Sequence, residues 1–385
     1  MMKTCDVAII GAGIIGASCA NALAEEGLRV VLFDRQTPGC EASWAAGGML
    51  SPAPYLPDDE QLAPLANESL RLYPEFVRAI ESASQKRVNY RGSGAIEVFY
   101  GAEGAVERDR YVASCRALKI EAESITATEA RRLEPAIASN VRAASRFASE
   151  GTVEPRALMD AVLESARVRK VDIRANCAVQ SLVIERERCV GVIAEGERIA
   201  TNRVVIAAGC YSQEILATDS ESGRRLATLF PTRPVRGQMI ALLPRDASLG
   251  QPLRSSRGYL VPRANGWIVA GSTLEEAGFE KRTTAEGLRK IRSAAIEMVP
   301  GLAGAEIVES WCGLRPGTPD GLPILGPTDI EGVIAATGHF RNGILLAPVT
   351  AQLVKDWIGG EPQLPVAAYS PLRFARAAVQ SHSAS

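Results

Sequence analysis

"CDVAIIGAGIIGASCANALAEEGLRVVLFD", residues 5–34, decides the fold. Residues 5–10 are apolar almost throughout, as a strand covered on both faces must be, and 29–34 repeat the pattern. Between them, 14–26 reads as a helix that closes at Gly27. Strand, tight turn, helix and strand make half of a parallel βαβ unit. Glycines 11, 13 and 16 fit G-x-G-x-x-G in that setting. Gly11 makes the turn, Gly13 lets backbone approach a pyrophosphate, and Gly16 lets the helix lie close on the strand. The helix start offers N–H groups and the positive end of its dipole to phosphate. Asp34, ending the second strand, is placed to accept hydrogen bonds from an adenosine ribose. The stretch predicts a bound dinucleotide without choosing between NAD and FAD.

At 385 residues the chain has room for two domains, since single cores stop growing at roughly 250–300 residues. Its 43 basic and 44 acidic residues nearly cancel. With no like-charge block, neither nucleic acid nor a membrane surface is expected as a partner. Eight cysteines lie scattered with no Cys-x-x-Cys pair, beside two histidines, which argues against a metal site and for reduced thiols in a cytoplasmic protein. After Lys3, the stretch 7–24 imitates a targeting signal, with Ala20-Asn21-Ala22 in the place of a cleavage site. Asp6 and the three glycines make it a core segment instead. No run approaches the ~20 apolar residues that span a bilayer.

Downstream, 35–64 reads as a long loop, and 61–83 as a helix interrupted by Pro74. Residues 90–150 alternate short strands with surface helix. Pro155 opens a helix with Leu158, Met159, Val162, Leu163 and Ala166 on one face. Strands are predicted at 177–185, 189–194, 203–209 and 332–337, antiparallel strands at 233–243, 257–262 and 267–272, and helices at 285–298 and after Gly343.

Three stretches carry further chemistry. "SWAAGGMLSP" (43–52) is either a plain connector or a backbone surface that lies flat against a ring system. In "WCGLRPGTPDGLPILG" (311–326), Arg315 stands among glycines and prolines. Its planar fork matches a carboxylate, the alternative being a structural pairing with Asp320. "GHFRNGILL" (338–346) leads into a helix whose N–H groups, with Arg341, suit an anion. His339 there is either a satisfied turn residue or a ligand contact. Arg315 and Arg341 together suit a small anionic substrate beside a cofactor that becomes anionic on reduction.

In order, "GAGIIGA" with Asp34, "AAGGML", "AAG" (207–209), "YLVPR" (259–263), "GLRPGTPDGLPILG" and "GHFRNGILLAP" resemble the D-amino-acid-oxidase-like FAD-dependent amine oxidases. Within that family they look most like the glycine oxidases of the bacterial thiamine (thiazole) pathway. The resemblance implies an α/β fold. A Rossmann-type, glutathione-reductase-like FAD-binding domain would comprise 1–87, 150–224 and 309–370. A second, antiparallel-sheet substrate domain would comprise 88–149 and 225–308, with 371–385 a disordered tail. It implies non-covalent FAD on Gly11, Gly13, Ile14, Ile15 and Gly16, with Asp34 and Arg35 at the adenosine end and Val179 by the adenine. Ala42, Ser43, Gly47, Gly48 and Met49 would lie under the flavin. His339, Phe340, Arg341, Asn342, Gly343, Ile344 and Leu345 would surround its ring.

For the substrate, Arg315 would hold the carboxylate, with Arg341, Tyr259, Met49, Gly48 and Leu274 around it. The implied reaction takes a small amino acid, most often glycine, and O2 to an imine and hydrogen peroxide, in a homotetramer. Alternatives are a D-amino-acid dehydrogenase, a sarcosine or D-amino-acid oxidase, and the glycine-oxidising subunit of a cyanide-forming complex. Two departures stand out. Trp44 replaces a small residue of the flavin loop, and Cys312 falls one position from where some sarcosine oxidases tether flavin.

Overall fold

The structure, a computed structural model, describes residues 3–54, 57–360, 362 and 364–375. A six-stranded sheet runs in the order Ile324–Pro327, Val333–Thr337, Val204–Ile206, Val7–Ile10, Val30–Phe33, Asp172–Arg174. It is parallel except where Ile324–Pro327 pairs antiparallel with its neighbour. Ile9 sits between Val205 and Leu32, so Gly11 leaves the sheet at the middle of its carboxyl edge. That edge is where such sheets hold ligands.

One face of the sheet is covered by the helices Ile14–Glu25, Ala63–Ser84, Pro155–Val168 and Gly343–Gly359, whose apolar sides form one continuous core. The other face meets the three-stranded sheet Val179–Glu185, Arg188–Ala194, Glu197–Ala200 and the helix Ser220–Leu229. Pro74 does not interrupt its helix, which runs from Ala63 to Ser84. Leu65, Ser69, Tyr73, Val77, Ile80 and Ser84 are buried at helical spacing, whereas Pro74 faces solvent, so the missing N–H bond falls on the wet side.

A second, eight-stranded sheet is ordered Glu306–Gly317, Arg233–Leu243, Ile268–Gly271, Gly258–Pro262, Leu253–Ser255, Ala95–Phe99, Ala143–Phe147, Glu123–Thr126. It is antiparallel apart from the parallel pair Leu253–Ser255 and Ala95–Phe99. The helix Ala285–Met298 packs on one side of it around Ile291, Ala295 and Met298. Pairing along the whole of Glu306–Gly317 puts the expected boundary at 308/309 inside a strand, so 309–317 belong to this sheet. Met239 pairs with Trp311 and Gly271, and Gly271 with Tyr259. Side chains alternate along strands, so Gly237, Met239, Tyr259, Gly313 and Arg315 share one face, turned toward the carboxyl edge of the parallel sheet.

Residues 371–375, expected to open a disordered tail, are ordered parts of the fold. Arg373 pairs with Asp320 at 2.7 Å, and Leu372 and Phe374 pack on the core. Residues 376–385 lie outside the described residues. Among the described residues no helix is long and apolar enough to cross a membrane.

Candidate active site

One long cavity, of about 430 Å³, runs between the two sheets. At its first end stands the glycine turn. Gly11 has φ +103°, and a Cβ there would meet the Ala207 carbonyl oxygen at 2.4 Å. Only glycine fits both constraints. Gly16 lies behind, where a Cβ would strike the Gly11 oxygen at 1.9 Å. It closes helix on strand and is not part of the cavity wall. Asp34 fastens the turn: Oδ2 accepts from the Ala12 N–H and Oδ1 from the Gln36 N–H, each at 2.9 Å. Burial raises its pKa above the usual carboxylate range. Beside it the Arg35 guanidinium lies 3.3 Å over the Tyr211 ring, which stacks on Phe279. Val179 lines the same end.

The loop 42–49 forms the middle of the wall, and it is no loose connector. Ser43 Oγ accepts the Ile14 N–H at 2.9 Å, capping the first helix from a distance. Trp311 Nε1 donates to the Ala45 oxygen, and Arg263 Nη2 to the Gly47 oxygen at 2.8 Å. A Cβ on Gly313 would meet the Ala45 Cβ at 2.5 Å, and one on Gly47 the Tyr259 hydroxyl at 2.6 Å. Gly48, at φ +76°, has the Val153 oxygen against it. The backbone of this loop is therefore presented bare to the cavity, with Ala42, Ser43 and Met49 beside it. Trp44 points away. Its ring meets Trp311 edge-on at 6.2 Å and carries Arg156 at 3.7 Å, behind the loop.

At the far end, Arg315 lies flat on the backbone of Gly237. Nη2 donates to Ser272 Oγ at 2.7 Å and Nη1 to the Thr273 oxygen at 3.1 Å. Asp320, its alternative partner, is taken by Arg373. Tyr259 closes the wall with its hydroxyl 3.4 Å from Met239 Sδ. Arg341 follows Phe340, whose φ of +47° is left-handed and whose N–H donates to the Pro316 oxygen. That bond ties the 338–343 turn to the strand carrying Arg315. Asn342, Gly343 and Ile344 also line the cavity.

His339 is buried and shares a 3.0 Å hydrogen bond with Thr350, and burial pulls its pKa down to about 3. It is a satisfied, neutral turn residue. Leu345 lies in the core and does not line the cavity. Leu274 is 54% exposed and likewise stands outside. It follows Ser272 and Thr273, which bond Arg315, but its own side chain is turned to solvent. Cys312 is also off the wall: it precedes the cavity residue Gly313 in its strand, with its side chain on the opposite face.

Sequence reading missed Gly237, Met239, Tyr211 and Arg254, all in the wall. A glycine inside the strand 233–243 was the available signal for the first. Arg254 is buried between Glu97 and Glu150. No cluster of metal ligands occurs among the described residues.

Bare glycine backbone, a helix start and a buried carboxylate at one end, with a flat backbone wall beyond, fit an extended dinucleotide whose ring system reaches Arg315. Comparison with known proteins agrees. The DAO, FAD dependent oxidoreductase, family matches residues 6–357. The chain is 32% identical to a glycine oxidase of Pseudomonas putida over 95% of its own length and 98% of that protein's. It is 31% identical to the hydrogen cyanide synthase subunit HcnC of Pseudomonas aeruginosa, over 97% of both. The crystal structure of glycine oxidase from Geobacillus kaustophilus superposes with a TM-score of 0.89 at 29% identity, over 96% of this chain and 99% of that one. A glycine turn that admits no Cβ, and a family likeness over nearly the whole length, have one reading: the chain belongs to the DAO family of FAD-dependent oxidoreductases.

Proposed function

We propose that the chain oxidises a small amino acid, glycine first among them, to its imine, which hydrolyses to glyoxylate and ammonia. Supply of that imine to thiazole synthesis is the role we attach to it. One observation carries the reading. Arg315 is held flat over Gly237, by Ser272 and Thr273, in the same cavity as the glycine turn. A planar guanidinium fixed at that spot is a receptor for a carboxylate.

Gly11, Gly13, Ile14 and Ile15 would hold the pyrophosphate and Asp34 the ribose. The 42–49 loop and the 339–344 turn would hold the ring system. Bound FAD supplies a two-electron acceptor, which O2 returns to its oxidised form with release of hydrogen peroxide. The residues do the rest. Arg315 pins the carboxylate and so fixes where Cα stands against the ring, turning binding energy into reactive geometry. Arg341 adds positive charge on the same side. Tyr259 and Met239 close the pocket against water. The Cα–H hydride leaves from the neutral amine, whose N–H proton is then lost to complete the imine. No protein base is required at Cα.

An aerobic panel of glycine, sarcosine, D-alanine and D-proline, read by peroxide, tests the assignment. Glycine and sarcosine should be turned over. A yellow protein that is reduced by D-alanine without forming peroxide would instead be a D-amino-acid dehydrogenase. The likeness to HcnC supports a second reading as the glycine-oxidising part of a cyanide-forming complex. Peroxide formation by the isolated chain opposes it. We carry over a cytoplasmic homotetramer from the resemblance, with sedimentation velocity as its check.

A further inference from the structure

The carboxylate clamp is aimed from behind the sheet. Ser272 and Thr273, which hold Arg315, begin the segment that links strand Ile268–Gly271 to helix Ala285–Met298. The back of that segment is fastened to the strand Arg233–Leu243 by residues on the face opposite the cavity. The Gln238 N–H donates to Thr273 Oγ1 at 2.9 Å. Arg236 and Glu275 exchange two backbone bonds, at 2.9 and 3.0 Å, and Arg236 Nε donates to Glu275 Oε2 at 2.7 Å. Gln238 Nε2 donates to Glu275 Oε1 at 2.7 Å and to Thr284 Oγ1 at 3.0 Å, while Oε1 accepts the Thr284 N–H at 2.7 Å.

Gln238 is thus fully buried with its amide's two donors and its acceptor engaged. A Cβ on Gly287 would strike its side chain at 2.4 Å, so the helix also closes over it. A buried amide bonded at every atom is rigid, and mispairing at any atom leaves a buried polar group unsatisfied. Glu275 joins Arg236 to Gln238 and stands two residues from Thr273, yet does not line the cavity.

We propose that Arg236, Gln238 and Glu275 are positioning residues for substrate recognition: they set the height and tilt of Ser272 and Thr273, and through them the plane of Arg315. The inference rests on the proposed role of Arg315 at a substrate carboxylate. Its ligand class is any small α-amino carboxylate that Arg315 grips. Among the described residues their hydrogen bonds and ion pairs run to the 273–284 segment and the strand Glu306–Gly317, and none to the cofactor turn or the 42–49 loop, so flavin retention should not depend on them.

The test uses the flavin-loaded enzyme with Glu275→Ala and Ser272→Ala. Glu275→Ala should raise the KM for glycine about tenfold or more, and weaken acetate binding, read from the flavin absorbance, by a similar factor. The kcat should fall less than KM rises, with flavin content unchanged. Glu275→Gln, which keeps an acceptor, should recover part of the loss. In an Arg315→Lys background the Glu275→Ala effect should largely disappear, since the two act through one group. A general loss of structure would persist there undiminished. Ser272→Ala, at a partly exposed residue, reads the same link should Glu275→Ala fail to fold. Unchanged KM and acetate affinity in either yellow, folded variant, or an effect that survives Arg315→Lys, overturns the proposal. Absence of peroxide from the wild type with glycine and sarcosine instead overturns the oxidase reading on which it stands.

Discussion

The Arg315 guanidinium occupies the space a side chain at Gly237 would need. A Cβ there would lie 2.1 Å from Nη1 and 2.3 Å from Cζ. Gly237 lies in the interior of a strand, where glycine costs stability relative to any larger residue. Its presence is explained by the arginine that lies across it. Gly237→Ala forces the guanidinium off the backbone and away from Ser272 and Thr273. The expected result is a rise in glycine KM of about ten- to a hundredfold, comparable to Arg315→Ala, because a charge-assisted clamp contributes roughly 1.5–3 kcal/mol. Flavin should stay bound. Steady-state peroxide kinetics and the visible spectrum of the purified variant check both halves, and normal glycine kinetics would show that Arg315 works elsewhere.

Asp34 governs the other end. Its two oxygens hold the Ala12 and Gln36 N–H groups, so it shapes the glycine turn before any ribose arrives. Asp34→Ala removes both bonds and the acceptor for the ribose. Titration of apoprotein with FAD should show affinity weakened by about ten- to a hundredfold, the size expected for lost charge-assisted bonds. Asp34→Asn keeps one acceptor oxygen and should lose less. Equal affinity in Asp34→Ala would place the adenosine outside this end of the cavity.

What could be read in advance follows from how local each constraint is. The turn at Gly11 was legible because its positive φ, the helix after it and the acid at its strand end fall within about thirty residues of chain. Arg315 was legible as a residue that did not belong on a wet surface, but its companions were not. Gly237 comes to it from a neighbouring strand, and Ser272 and Thr273 from the connection that follows another, so no single local stretch announces the meeting. Leu274, which the resemblance put in the pocket, was misplaced for the same reason: it lies in the connection after strand Ile268–Gly271, where no local pattern says which way a side chain turns, and it faces solvent. Trp44 looked disruptive for the flavin loop because the space behind that loop, filled by Arg156 and Trp311, is made by segments more than a hundred residues away.

His339 gives a prediction for stability rather than catalysis. An unfolded imidazole takes up a proton near pH 6.5, whereas in the fold, stripped of water, it does so only near pH 3. Between those values the unfolded chain binds more protons, so acid favours unfolding. This contribution is complete above about pH 6.5 and is lost as pH falls toward about 3. His339→Gln keeps a hydrogen-bonding group for Thr350 but does not titrate. Thermal unfolding across pH 4–7 should therefore show a shallower acid decline in the variant than in the wild type, and parallel curves would mean the imidazole is not protected from protons.

The same burial decides who handles the proton in turnover. Histidine is the side chain whose ordinary pKa falls near neutrality, and the one in this cavity wall is neutral and engaged with Thr350. The pH dependence then belongs to the substrate, because a hydride leaves Cα only when the amine nitrogen has a lone pair to push. The kcat/KM for glycine should climb by up to about tenfold per pH unit on the acid side of the free amine's own pKa. His339→Gln should leave that slope in place, since removing a bystander cannot move it. A substrate with a less basic amine should shift the whole curve toward acid by the difference in amine pKa. A curve that stayed put would mean that a protein group, and not the amine, is what loses the proton.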